Sequence, residues 1–228
     1  MTATRSPRAP LGTGANGRRR MLFHHLPLGA ASAVALVVLM GLANGGHGSR
    51  ALLSRLTVAT GDVGLGLLGL TLLIGPTNLV LGRRNPVSNY LRRDVGIWTA
   101  GASVIHVILG FRVRADDGAF SFVNYFVADG RPLVDDFGLG NWTGLGALVI
   151  VLGLLTISTN SALRELKARP WKRLQRLNYA LFALVVLHAI FYGPLRLVLA
   201  VVVSVVFVGQ ASGIWLWRRR FGGISLSR

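Results

Sequence analysis

Apolar residues come in six runs along the chain, at about 27 to 43, 59 to 81, 94 to 111, 141 to 159, 175 to 193 and 195 to 217, with short polar stretches between most of them. A helix rises ~1.5 Å per residue, so ~20 residues cross a hydrocarbon core of about 30 Å, and each run approaches that length. The pattern predicts an all-α, polytopic membrane protein whose six-helix transmembrane bundle occupies residues 21–220. The bundle lies between a basic tail at 1–20 and a second tail at 221–228. Residues 1–20 are rich in Arg, Gly, Pro, Thr and Ala and show no hydrophobic period, which predicts a disordered segment. Gly193 and Pro194 mark a tight hairpin between the last two spans. The first span has a second reading: an Arg-rich start, an apolar run and small residues at 41–46 are also the pattern of a cleavable signal sequence. The other five spans would then keep their orientation.

Composition agrees with a lipid solvent. Of the 228 residues 52% are hydrophobic and only 14% charged, with a mean hydropathy of +0.54, too apolar a balance for an ordinary soluble surface. There is no cysteine, which excludes disulfides, thiolate ligands, iron–sulfur clusters and cysteine nucleophiles. Redox chemistry would need a cofactor held by other ligands.

The net charge of +17 would suggest nucleic acid in a soluble protein, but its distribution assigns it to the membrane. With the N-terminus inside, 19 of the 25 basic residues fall in cytoplasmic segments: the N-terminal tail, the Arg83/Arg84/Arg92/Arg93 loop, the Arg164 to Arg176 segment and the tail with Arg218, Arg219, Arg220 and Arg228. Arg50, Arg55, Arg112, Arg114, Arg131 and Arg196 fall outside. This positive-inside asymmetry predicts a multi-pass protein of the inner (plasma) membrane, with both termini cytoplasmic and the lipid bilayer, not nucleic acid, as its charged partner.

The largest outer loop, Arg112 to Gly140, mixes Asp116, Asp117, Asp129, Asp135 and Asp136 with Phe120, Phe122, Tyr125, Phe126 and Phe137. It is either an interfacial lid over the bundle or a solvated connector, and its carboxylates match no metal-loop spacing.

Five histidines are present: His24, His25, His47, His106 and His188. The first three flank the first span, where interfacial polar contacts with headgroups are expected. His106 and His188 lie inside spans, and an intramembrane ionisable residue points by default to a functional site. His106 follows Arg93 by 13 residues, ~20 Å along the third span, and His188 follows Arg173 by 15, ~22 Å along the fifth. Both spans run outwards, so the two imidazoles are expected at one level in the outer leaflet. Two neutral imidazoles placed so can ligate a haem iron from its opposite faces. Around His106 the small residues Ala102 and Gly110 stand at i−4 and i+4, with Gly101 and Ser103 close by, leaving a face that a flat macrocycle could approach. Leu184 and Tyr192 stand at the same spacings around His188. From these residues alone, haem ligation stands beside structural hydrogen bonding, a proton pathway and a transport site.

The segments TGDVGLGLLGLTLLIGPTNLVLG, LRRDVGIWTAGASVIHVILGF and RPWKRLQRLNYALFALVVLHAIFYG resemble the ferric reductase-like transmembrane domain family, over roughly residues 60 to 193. That family includes the haem-bearing membrane subunit of the bacterial methionine sulfoxide reductase system. The resemblance implies a haem b electron-transfer protein with His106 and His188 as the outer-leaflet iron ligands. The family often stacks a second, inner haem on a histidine of a W-K-x-L-H-R-L pattern, and this chain has Gln175 there. An amide is not a usual axial ligand, and Arg92 and Arg93 are protonated with no free lone pair. One haem per chain is therefore expected.

Without the inner group an electron from the cytoplasmic face has ~20 Å of protein to cover. Trp98, eight residues before His106, is either a stepping stone or ordinary packing. Arg112, Arg114 and Arg196 lie ~9 to 12 Å above the histidine level, where they meet haem propionates or headgroups. No G-x-G-x-x-G fingerprint follows the last span, so a separate flavin- or nicotinamide-bearing reductase, or a membrane quinol, is the expected donor, with a periplasmic protein among the candidate acceptors. No catalytic residue is assigned to this chain. The rival from another class is a haem-free transporter or assembly protein that uses the two histidines for proton relay or structure.

Overall fold

The computed structural model describes residues 21–42, 48–82, 89–113, 122–159, 162, 165, 168–193 and 196–221. The tail at 1–20, residues 222–228, His47, Arg114, Asp116, Asp117, Phe120 and Pro194 lie outside the described residues. A π-helical turn, Met21–His25, leads into α1 (Leu26–Leu42). There follow α2 (Ser49–Val80), α3 (Asn89–Val113), α4 (Asp136–Thr156), the short α5 (Ala168–Leu174), α6 (Leu177–Phe191) and α7 (Leu197–Phe221). The only strands among the described residues, β1 (Val127–Ala128) and β2 (Arg131–Pro132), form an antiparallel ribbon in the loop between α3 and α4. Asp129 and Gly130 turn this ribbon at φ 50° and 73°, the doubly left-handed conformation for which Asp-Gly is suited.

Five helical segments, Met21–Leu42, Arg50–Val80, Leu91–Val113, Asp136–Thr156 and Leu197–Arg220, are long and apolar enough to cross a membrane. The sixth apolar helix, α6, has 15 residues and by itself reaches ~22 Å. Its inner end is continued by α5 through a tightened turn, where the Asn178 and Tyr179 amides donate to the Gln175 and Arg176 carbonyls at 3.3 and 3.0 Å. Each of the six predicted apolar runs coincides with one of these helices, but only five of the six helices have the length of a span.

Helix α3 packs chiefly on α2 and α6 chiefly on α4, while α7 and α1 lie against α2. The two histidine-bearing helices thus belong to separate pairs, α2–α3 and α4–α6. Buried Leu68, Ala100, Ala147, Val151, Leu154 and Leu181 knit the pairs together below the histidine level. No residue of α1 is buried.

The described part of the loop between α3 and α4 is a cap, not a free connector. Tyr125 is buried, and its hydroxyl donates to the Gly110 carbonyl at 3.0 Å, at the end of α3. The Asn141 amide on α4 donates to the Tyr125 carbonyl at 2.9 Å, and the Tyr192 hydroxyl donates to the Asn141 side-chain oxygen. Asp135 caps α4, accepting the Gly138 amide at 2.8 Å. This carboxylate therefore closes a helix end.

Candidate functional site

The α2–α3 and α4–α6 pairs bring His106 and His188 together, with ring centroids 5.9 Å apart and planes at 88°. The expectation of a shared level is met in the geometry. Each ring is held by the helix paired with its own. His106 Nδ1 bonds the Thr57 carbonyl of α2 at 2.8 Å, and His188 Nδ1 bonds the Gly140 carbonyl of α4 at 2.7 Å. A carbonyl can only accept, so Nδ1 carries the proton in both rings. The lone pair of each neutral imidazole then sits on Nε2, at the far side of the ring from its anchor. A backbone carbonyl is one of the common partners, with carboxylate and water, for the second nitrogen of a metal-ligating histidine.

One turn beyond each carbonyl stands a glycine that admits the ring. A Cβ at Gly61 would lie 2.9 Å from His106 Nδ1, and one at Gly144 would lie 2.7 Å from His188 Nδ1. Tyr192 packs on the outer side of His188 at 4.9 Å between centroids, and Phe137 packs on Tyr192 at 5.9 Å. The aromatic lid therefore continues down to the histidine.

These residues fit a haem. Iron–imidazole bonds of about 2 Å on both faces place ring centroids roughly 6 Å apart, near the observed separation. A porphyrin brings four nitrogens of its own, so two protein ligands complete six-coordination. No group of three or more His, Cys, Asp or Glu able to hold a bare metal ion occurs among the described residues.

Other expectations around the pair are redistributed. Of the small residues flanking His106, Ala102, Ser103 and Gly110 face α2: a Cβ on Gly110 would meet Thr57 at 3.7 Å, and one on Gly64 would meet Ala102 and Ser103 at 3.8 Å, whereas one on the exposed Gly101 would meet nothing within 4 Å. Those facing α2 set helix spacing, whereas Gly61 and Gly144, on the facing helices, make room for the rings. Arg196 makes a two-point contact with Asp62 of α2, at 3.2 and 3.3 Å, so in this structure its guanidinium is engaged by a carboxylate. Arg112 is exposed in the last turn of α3.

At the other end of α3 the structure differs from the expected headgroup role of His24 and His25. His24 Nδ1 donates to Asp94 at 2.6 Å, and His25 Nε2 lies 3.7 Å from the same carboxylate. The Trp98 indole, which can only donate, bonds His25 Nδ1 at 3.2 Å, which leaves the His25 proton on the nitrogen facing Asp94. The Trp98 ring also sits against Gly29, where a Cβ would lie 3.0 Å away. Asp94 is fully buried. A buried carboxylate among apolar helices demands donors, and the turn Met21–His25 supplies one through His24, with the His25 imidazole close by. Trp98 thereby fastens α1 to α3, the packing role. Asp94→Ala is expected to loosen α1 and cost about 2 kcal/mol, the scale of a charged hydrogen bond. Thermal melting of the detergent-purified variant, with protease sensitivity around residues 21–42, checks this.

A small cavity of mixed lining, on the far side of the core from the histidine pair, brings Thr71, Arg92, Arg93, Gln175 and Asn178 together with aliphatic side chains such as Leu154. Gln175 is engaged there, accepting from the Asn178 amide at 3.2 Å.

No protein-family model matches the chain. No solved structure matches it either. Among curated proteins it is similar to the magnetosome protein MamZ of Magnetospirillum gryphiswaldense, 28% identical over 134 residues, which are 57% of this chain and 18% of that protein. The chain thus spans less than a fifth of the length of that relative.

Proposed function

We propose that this chain is a haem b-binding, integral membrane electron-transfer subunit of the ferric reductase-like type. It is a six-span protein of the plasma membrane with both termini cytoplasmic, and His106 and His188 are the axial ligands of one haem. The observation that carries the reading is the pair of imidazoles, 5.9 Å apart on separate helix pairs, each with Nδ1 tied to a carbonyl and Nε2 left to bind a metal. When bound, the haem supplies a one-electron redox couple buried in the outer half of the bundle. The chain's own residues hold and orient it. Thr57 and Gly140 fix the tautomers, Gly61 and Gly144 seat the rings, and the lid of Tyr125, Asn141 and Tyr192 closes the outer end against water. Arg112, Arg114 and Arg196 are the basic residues that, counted along the sequence, follow the two histidines closely enough to meet the haem propionates. The donor is a separate reductase, with its flavin, or a membrane quinol, and the acceptor lies on the outer face, a periplasmic protein among the candidates.

The same two hydrogen bonds favour a second reading, a haem-free transporter or assembly protein in which the histidines tie α3 to α2 and α6 to α4. Protein purified from haem-replete cells separates the two. The expected result is a low-spin b-type absorption spectrum with about one haem per chain. A folded but colourless protein supports the haem-free reading, and two haems per chain would overturn the assignment based on Gln175.

A further inference from the structure

The two histidine anchors are one device built twice. In α2 the Thr57 carbonyl takes the His106 N–H at 2.8 Å and also the Thr60 hydroxyl at 2.9 Å. In α4 the Gly140 carbonyl takes the His188 N–H at 2.7 Å and also the Thr143 hydroxyl at 2.9 Å. Each threonine shares its single proton with a second carbonyl, Leu56 or Leu139, at 2.8 Å in both cases. Each is followed at once by the glycine that seats the ring, so Thr60–Gly61 in α2 is matched by Thr143–Gly144 in α4. Back-bonding threonines are ordinary in apolar helices, and Thr57, Thr71 and Thr99 bond their i−4 carbonyls here. Among the described residues, only Thr60 and Thr143 share a carbonyl with a histidine.

We infer that Thr60 and Thr143 are positioning residues that set the strength of the two histidine N–H bonds, and through them the reduction potential of the bound haem. The inference rests on the haem reading above. A carbonyl oxygen that accepts a hydroxyl proton has less electron density to offer the imidazole N–H. The hydroxyl therefore weakens the pull on the Nδ1 proton and keeps the ligand a neutral imidazole. Removing the hydroxyl strengthens that pull and gives the ring more imidazolate character. A more anionic ligand favours the oxidised, more positively charged iron. The identical arrangement on both rings gives the two threonines the same sign of effect.

The test uses the purified holoprotein, with Thr60→Val, Thr143→Val and the double variant compared by redox titration and by electron paramagnetic resonance of the low-spin ferric form. Thr71→Val, which removes a back-bonding hydroxyl that no histidine carbonyl receives, is the control, and Thr60→Ser and Thr143→Ser restore the hydroxyl. Each Val variant is expected to keep one haem per chain and to lower the equilibrium constant for reduction a few-fold to tenfold. The upper end corresponds to 59 mV for a one-electron couple. The shift accumulates in the double variant, and the Ser variants and Thr71→Val stay at the parent potential. Parent potentials in the Val variants, or an equal shift in Thr71→Val, would overturn the inference. So would loss of haem from the Val variants alone, which would make the hydroxyls structural. Absence of haem from the parent protein defeats the proposed function itself, a different and earlier failure.

Discussion

Gly61→Ala and Gly144→Ala are expected to strip the purified protein of haem as fully as His106→Ala and His188→Ala, lowering haem per chain at least tenfold in each of the four variants. The argument is steric and local. A methyl group at 61 would lie 2.9 Å from His106 Nδ1 and 3.0 Å from Cε1, and one at 144 would lie 2.7 and 2.9 Å from the same atoms of His188. These are the ring atoms at the anchored edge, so an imidazole can retreat only by giving up its bond to Thr57 or Gly140. An unanchored imidazole loses both its fixed tautomer and its aim, the two properties that axial ligation needs.

Glycine elsewhere in these helices supplies the control. A Cβ at Gly66 in α2 or at Gly153 in α4 meets nothing within 4 Å. Gly66→Ala and Gly153→Ala should therefore retain haem and gain up to about 1 kcal/mol of helix stability. Haem content by pyridine haemochrome, with circular dichroism to establish that the helices persist, decides the matter. Full haem occupancy in Gly61→Ala and Gly144→Ala would show that the rings do not use these seats.

The pattern of positions that were and were not readable in the sequence follows from the same distinction between one helix and its neighbour. The spans were legible because bilayer thickness dictates the length of an apolar run, whatever packs beside it. The pairing of His106 with His188 was legible because depth along a helix is a matter of counting residues from a charged end. What the ring bonds to was not, since the Thr57 and Gly140 carbonyls carry no side-chain signature. The only sequence trace of the anchor is the recurrence of Thr-Gly at 60–61 and 143–144, which is faint in a chain with 29 glycines. The small residues beside His106 were readable as an unobstructed face. Their use, however, depended on which surface came opposite, and that surface is α2. His24 and His25 looked interfacial because they precede an apolar run, whereas the buried carboxylate that His24 bonds and His25 approaches lies some 70 residues away. Length alone left α6 looking like a full span, because the apolar pattern does not register the tightened turn at 175–176.

Asp62 shows how far a single intramembrane carboxylate constrains its surroundings. It is 8% exposed, its partner Arg196 is 39% exposed, and the two ends of the contact therefore respond differently to substitution. Arg196→Ala strands a desolvated carboxylate. Breaking a fully buried pair in this way costs 3 kcal/mol or more, and the partial exposure of Arg196 reduces the figure to roughly 2 kcal/mol. Asp62→Asn leaves Arg196 near the rim, where water or headgroups solvate it, and should cost below about 1 kcal/mol. In the Asp62→Asn background, Arg196→Ala should lose most of its effect, because no stranded charge is left behind. Thermal melting of the haem-free protein in detergent measures this asymmetry. Equal losses in the two single variants, or additive losses in the double, would mean that the contact is not what stabilises this end of α2. Repeating the series on the haem-loaded protein isolates the second role proposed for Arg196. A propionate contact adds a loss of haem affinity in Arg196→Ala that Asp62→Asn does not rescue, whereas a purely structural arginine leaves haem affinity unchanged once the stranded charge is removed.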